Sequence, residues 1–296
     1  MIDPISTTLT AHPSAMTYST ARIFNGDCRL VMSQLDEAAY DLVFADPPFN
    51  IGHPYDGYDD SMTSNEYEEF TRQWLYHAYD RLRPGGVICT HVPDDVVPLI
   101  FRYLPMGLTR IDWIIWHYRF GQSGNAAKST KCINSKAHLL VFAKGGRTPT
   151  WNPPMVPSDR ATKYGDKRTA GSETPGMRVA LDVWGVPSDG PYWGRVQGNN
   201  VERWDKAHGA LVDHPNQLPE VYVERAMLAW SNEGDQVLCP FGGSGTETVV
   251  AKALHRSIDT IEFSETSCGS IAARLVRGAV RVGKGKPVAT QLESEA

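Results

Sequence analysis

Residues 236–254 read QVLCPFGGSGTETVVAKAL. A short run of strand character ends at Cys239, the turn Phe241-Gly242-Gly243-Ser244-Gly245-Thr246 follows, and an apolar helix opens directly from that turn. A strand fed through a glycine turn into a helix is the repeating unit of parallel α/β sheets. The turn brings backbone N–H groups to the helix N-terminus, where the helix dipole adds partial positive charge, so the unit also cradles polar ligands. About sixteen residues past Thr246, Glu262 ends the next expected strand, Ser257–Glu262. A carboxylate so placed can take both hydroxyls of a ribose. The turn is not GxGxxG and lacks the GK[ST] of a P-loop, which disfavours nicotinamide dinucleotides and ATP hydrolysis.

The same alternation extends outward in both directions. Strands are expected at Arg22–Phe24, Tyr40–Ala45, Val87–His91, Ile111–Trp116, Leu139–Ala143 and Asp235–Cys239. Helical spacing marks Cys28–Leu35, Asn65–Leu82, Val96–Leu104, Pro219–Trp230, Thr246–Leu254 and Glu265–Val276. The pattern predicts βαβ units and a mostly parallel sheet with helices on its faces. It divides the chain into an N-terminal arm (1–20), a first half-domain (21–144), an irregular insert (145–213), a second half-domain (214–280) and a frayed tail (281–296). A structureless stretch as long as the insert is unusual inside a compact domain unless it is functional.

Charge supports that reading. The net charge is −5, yet between Arg110 and Arg178 there are 12 Lys/Arg against 4 Asp/Glu. Between Asp36 and Glu69 there are ten acidic residues and no Lys or Arg. A basic segment in an otherwise acidic chain suits contact with phosphates. Five scattered cysteines without a CxxC pair argue against a disulfide framework or structural zinc and for a reducing cytoplasm. No apolar run reaches the length of a membrane span, and the N-terminus lacks the features of a signal peptide. Nine histidines show no HxH or HxxxH pair, so no catalytic metal is expected. His91 and His117 lie on apolar strands and read as packed histidines.

The sharpest motif is Asp46-Pro47-Pro48-Phe49, directly after the strand YDLVFA. Strand ends in such sheets are where ligands bind. Two prolines hold the chain extended. They leave the Asp46 carboxylate and the Pro47 carbonyl as fixed acceptors for the two N–H groups of an exocyclic amine. Phe49 offers a stacking face for the ring that carries it.

Asp46-Pro47-Pro48-Phe49, followed by the insert and then Phe241–Thr246, resembles the beta group of S-adenosylmethionine-dependent amino-methyltransferases of DNA. His214-Pro215-Asn216-Gln217-Leu218-Pro219-Glu220 is similar to the H-P-x-Q-x-P-E box of that group. FADPPFNIG, RLRPGG, AHLLVFAKG, YGDKR and ERW look like further segments of it. The resemblance covers about Arg22 to Arg277.

It implies a class I methyltransferase fold, a three-layer αβα sandwich around a seven-stranded sheet. It implies that Asp46, Pro47, Pro48 and Phe49 hold and stack the target base. Phe241, Gly243, Gly245 and Thr246 would wrap the methionine end of the cofactor. Glu262 would take its ribose hydroxyls, Asp27 its adenine amino group, and His214, Asn216 and Gln217 would line its pocket. The insert matches the target-recognition region, so Lys163, Lys167 and Arg168, with Lys136, are candidate DNA contacts. Asp at position 46 favours adenine-N6, since members with Ser there more often act on cytosine-N4. The family usually carries Asp where this chain has Cys239, and a neutral thiol supplies little pairing to the cofactor's ammonium.

The expected partner is double-stranded DNA, with a homodimer and a cognate restriction endonuclease left open. The alternatives are cytosine-N4 methylation, methylation of RNA or a protein glutamine, and a non-catalytic DNA-binding protein with a decayed cofactor site.

Overall fold

The computed structural model describes residues 3–11, 18–55, 57–117, 130, 132, 134–157, 177–186 and 217–279. Its first strands are β1 (Ser6–Ala11), β2 (Tyr18–Asn25) and β3 (Tyr40–Ala45). A small hairpin of β4 (Pro54–Tyr55) and β5 (Tyr58–Asp59) precedes β6 (Leu82–Val92), β7 (Leu108–His117) and β8 (Lys136–Lys144). Part of the insert forms β9 (Met155–Pro157), β10 (Met177–Val179) and β11 (Val183–Trp184). The last two strands are β12 (Gln236–Cys239) and β13 (Ser257–Glu262). The helices are α1 (Cys28–Met32), α2 (Ser64–Arg81), α3 (Val97–Arg102), α4 (Glu220–Trp230), α5 (Thr246–Ala253) and α6 (Glu265–Arg277).

The main sheet runs β1-β2-β13-β12-β3-β6-β8-β7-β11. Its seven inner strands are the expected ones, parallel from β2 to β6, with β8 antiparallel to both β6 and β7. Both edges carry a strand that the periodicity did not announce. The arm expected over 1–20 is partly ordered, because Ser6–Ala11 pairs with the otherwise open edge of β2. At the other edge β11, from within the insert, adds in parallel to β7.

Side chains alternate between the two faces, as the pleat requires. On β3, Leu42 and Phe44 pack with residues of α4, α5 and α6, whereas Val43 and Ala45 pack with those of α1, α2 and α3; a register irregularity between Tyr40 and Leu42 puts Tyr40 on the latter face as well. α2 begins with a capping box in which Thr63 and Glu66 satisfy each other's backbone N–H groups. Asp259 ties three parts of the sheet together. It accepts from Arg22 at 2.7 and 2.6 Å and from the Tyr40 hydroxyl at 2.5 Å. No described helix is long and apolar enough to cross a membrane.

The register decides where chemistry can occur. Cys239 lies beside Thr260, Leu238 beside Val43, and Glu262 beside Asn25. The carboxyl ends of β2, β13, β12 and β3 therefore open onto one crevice.

Candidate active site

A cavity of about 380 Å³ opens at those strand ends. Its wall includes Asp27 after β2, Asp46 to Phe49 after β3, Phe241 to Ser244 after β12, and Glu262 at the end of β13. The two motifs that stand about 190 residues apart in the chain thus share one wall.

The glycine turn is shaped by its neighbours. Gly245 has φ +77°, a left-handed conformation that costs a side-chain-bearing residue energy, and it directly precedes α5. A Cβ on Gly242 would meet Ile271 and Thr260 at 2.9 Å. Glu262 fastens the turn, accepting from the Gly243 N–H at 2.7 Å and from the Ser264 N–H at 2.8 Å. Burial raises its carboxyl above the ordinary range despite those donors. Phe241 lines the cavity and packs edge-on against Trp74 at 5.5 Å.

Behind the turn lies Arg274, fully buried. It donates to the Ser244 carbonyl at 3.0 Å, to the Thr246 hydroxyl at 2.9 Å and to Glu220 at 2.8 Å. Thr246 belongs to this support, neither it nor Gly245 is part of the cavity wall, and Gln217 is buried with its amide against Arg274. Asp27 caps α1 through the Arg29 N–H at 2.8 Å and pairs with the Arg29 guanidinium at 2.6 Å. Burial pushes the Asp27 carboxyl up, but Arg29 more than offsets that and holds it below the usual range.

The tetrapeptide is held differently. Tyr67 donates to the Pro48 carbonyl at 2.9 Å. No described donor reaches the Pro47 carbonyl, and the Asp46 Oδ1 is shielded from solvent without a hydrogen-bond partner. Burial, then the nearby charge of Glu247, raises the Asp46 carboxyl well above the carboxylate range. Two unused acceptors therefore stand side by side in the chain at a cavity wall. Phe49 lies 6.3 Å from the ring of His91, which is packed in turn against Trp116 at 5.6 Å and hydrogen-bonded to Tyr222 at 2.9 Å. Burial, with His138 adding to it, lowers the His91 imidazole to about 3, so the ring behind Phe49 is neutral.

Asp60 is a support that sequence reading missed. Buried beside the hairpin, it accepts from the backbone N–H groups of Asn50, Ile51 and His53 at 2.8, 3.0 and 3.1 Å. It fixes the loop that leaves Phe49. Asp60→Ala leaves three donors unpaired and is expected to destabilise the fold by about 1–3 kcal/mol. Chemical denaturation checks this, and a midpoint equal to wild type would show that the loop finds other acceptors.

Of the remaining expected residues, Lys136 pairs with Asp94, which also meets His138 at 2.6 Å. His214, Asn216, Lys163, Lys167 and Arg168 lie outside the described residues, as do most of the insert and the tail. Cys239 is buried in the core, its thiol directed to the Phe241 carbonyl at 3.4 Å, and is not part of the cavity wall.

Comparison with known proteins bears on the family and the fold. A family model described as DNA methylase matches residues 40–273. The chain is similar to the type II methyltransferase M.HpaI of Haemophilus parainfluenzae, 32% identical over 237 residues, 76% of this chain and 65% of that relative. The chain thus spans somewhat less than two-thirds of that relative's length. It is 28% identical to the DNA adenine methyltransferase YhdJ of Escherichia coli (strain K12), over 85% of this chain and 81% of the relative. Among solved structures, the cytosine-N4-specific PvuII DNA methyltransferase superposes with a TM-score of 0.62 at 14% identity, covering 93% of each chain. That likeness concerns the fold, which is the three-layer methyltransferase fold.

Proposed function

The chain belongs to the DNA methylase family, which uses S-adenosylmethionine, and on that premise we propose that it transfers a methyl group to the exocyclic amino nitrogen of adenine in double-stranded DNA. The observation that carries the reading is the unpartnered Asp46 Oδ1 beside the free Pro47 carbonyl, on a cavity wall shared with the glycine turn. Asp46 in place of Ser is the feature that favours adenine over cytosine, and the adenine-specific relative points the same way.

The residues present fit the cofactor. It carries two cationic groups, and this cavity is lined by Asp27, Asp46, Glu247 and Glu262. Asp27 and Glu262 would hold its nucleoside end, and the backbone of the glycine turn would hold its amino-acid end. When bound, the cofactor supplies an electrophilic methyl on sulfur. Asp46 and the Pro47 carbonyl would accept the two N–H bonds of the target amine, turning its lone pair out of ring conjugation. Phe49, backed by the neutral His91, would stack on the base. The amine proton left over after transfer has the Asp46 carboxylate as its nearest acceptor. Positioning of this kind supplies much of an enzyme's rate. The base must first leave the duplex, at a cost of a few kcal/mol.

Digestion of DNA methylated by the protein, with mass separation of the nucleosides, tests the reading. N6-methyladenine is the expected product, and N4-methylcytosine alone would overturn the choice of base. The basic insert is assigned to the DNA backbone. Replacing Lys163, Lys167 and Arg168 by Ala is expected to flatten the slope of log affinity against log salt by about 0.9 for each phosphate that these side chains neutralise. Cofactor affinity should not move. An unchanged slope would remove these three residues from the interface.

A further inference from the structure

We propose that Glu247, rather than a group at position 239, receives the α-ammonium of the cofactor's amino-acid end. The proposal rests on the cofactor reading above. Glu247 is the second residue of α5, immediately after the glycine turn, and it lines the cavity although only 4% exposed. No described side chain bonds to its carboxylate. Arg274, the positive charge nearest in effect, commits its guanidinium to Glu220, the Ser244 carbonyl and the Thr246 hydroxyl.

The other carboxylates of the cavity have partners or a different position. Asp27 is tied to Arg29, Glu262 accepts from two backbone N–H groups, and Asp46 belongs to the tetrapeptide assigned to the target base. The one donor that bears on its carboxylate among the described residues is its own backbone N–H, which leaves burial to dominate, and a ligand that brings N–H groups on a positive charge offsets the cost of burying it. A sulfonium brings no N–H, and its methyl must face the target amine. The ammonium is therefore the cation that Glu247 matches. Position 239 is excluded by its surroundings. The Cys239 thiol lies in the core beside the field of Glu247, which, after burial, helps to raise it. A second carboxylate there would repel Glu247 instead of reaching the ligand.

Calorimetric titration of wild type and Glu247→Gln with two ligands tests this. S-adenosylhomocysteine carries the ammonium, and 5′-methylthioadenosine is the same molecule cut before it. The substitution is expected to weaken S-adenosylhomocysteine by about tenfold to a hundredfold, the range of a charge-assisted hydrogen bond, and to leave 5′-methylthioadenosine unchanged. Equal losses for both ligands, or no loss for the first, would overturn the assignment. Wild-type protein that binds neither ligand would overturn the cofactor reading itself.

A second measurement needs no variant. Burial pushes the Glu247 carboxyl up to about 7. Protonation below that value should weaken wild-type binding of S-adenosylhomocysteine relative to 5′-methylthioadenosine. Asp46, Glu262, Tyr222 and Cys239 also face this region. Glu262 acts on the nucleoside that both ligands share, Asp46 is assigned to the target amine that neither ligand carries, and Tyr222 and Cys239 are raised far out of the range titrated, so the ratio reports Glu247. A ratio that does not change between pH 8 and pH 5, a window chosen to bracket about 7, would overturn the assignment.

Discussion

Asp46→Ala is expected to lower methyl transfer by at least about a thousandfold, within the range that a positioned proton acceptor contributes, without loss of the fold. The residue follows β3 directly, and nothing in the described protein depends on its Oδ1. The carboxylate is in fact a burden on the free enzyme. Its folded-state affinity for a proton exceeds the unfolded one, first through burial and then through Glu247. The stability linked to this group is therefore fully present below the unfolded carboxylate value of about 4 and is lost as pH rises through the higher folded value. Asp46→Asn should melt above wild type at neutral pH, while in acid the two should converge. Single-turnover methylation and thermal melts over pH check the two halves separately. Near-wild-type turnover by the Ala variant would remove Asp46 from the reaction. A melting curve for Asn that tracks wild type at every pH would show that the carboxyl is better solvated than its surroundings indicate.

Such a cost is retained where a ligand relieves it. Three of the four cavity carboxylates are raised or unpartnered, namely Asp46, Glu247 and Glu262. A cationic ligand that neutralises Glu247 also withdraws the repulsion that, after burial, raises the Asp46 carboxyl. On this view the cofactor makes Asp46 a better acceptor before the base arrives.

The parts of this site that the amino-acid sequence announced are those with local signatures. Asp46-Pro47-Pro48-Phe49 follows an unbroken apolar strand, the glycine turn opens a helix, and Glu262 closes a strand found at its expected bounds. Each is legible within a dozen residues, because strand ends and turns are specified by neighbours in the chain. What escaped depends on contacts between distant segments. Glu247 reads as one polar position in the run TETVVAKA, and only the shared cavity at the strand ends brings its charge to bear on Asp46. Asp60 reads as one acid among ten until the hairpin folds it under residues 50–53. Of the two edge strands β1 is polar and β11 only two residues long, and they form because β2 and β7 offer unpaired backbone. Lys136, expected at phosphate, also pairs with Asp94, 42 residues earlier, a contact the chain order does not announce.

The same distance hides the second large effect. Arg274→Ala is expected to destabilise the protein by about 3–5 kcal/mol, the cost of breaking a buried ion pair by removing one partner. Glu220 and Arg274 are 54 residues apart, both buried, and joined at 2.8 Å. Truncation takes the guanidinium away from the Glu220 carboxylate and from the Ser244 carbonyl and the Thr246 hydroxyl, which Arg274 holds at 3.0 and 2.9 Å. Urea denaturation should show the loss directly, and an unchanged midpoint would mean that water or Gln217 replaces the guanidinium. A double variant, Glu220→Leu with Arg274→Met, separates two roles. Replacing a buried ion pair by apolar side chains of similar volume is often neutral or stabilising, so the fold should recover. The glycine turn would still lack the donors that fix its carbonyl and hydroxyl from behind. Cofactor affinity should therefore remain below wild type even when stability has returned. Recovery of both together would make the pair purely structural. Recovery of stability alone would place Arg274 among the residues that shape the turn for its ligand.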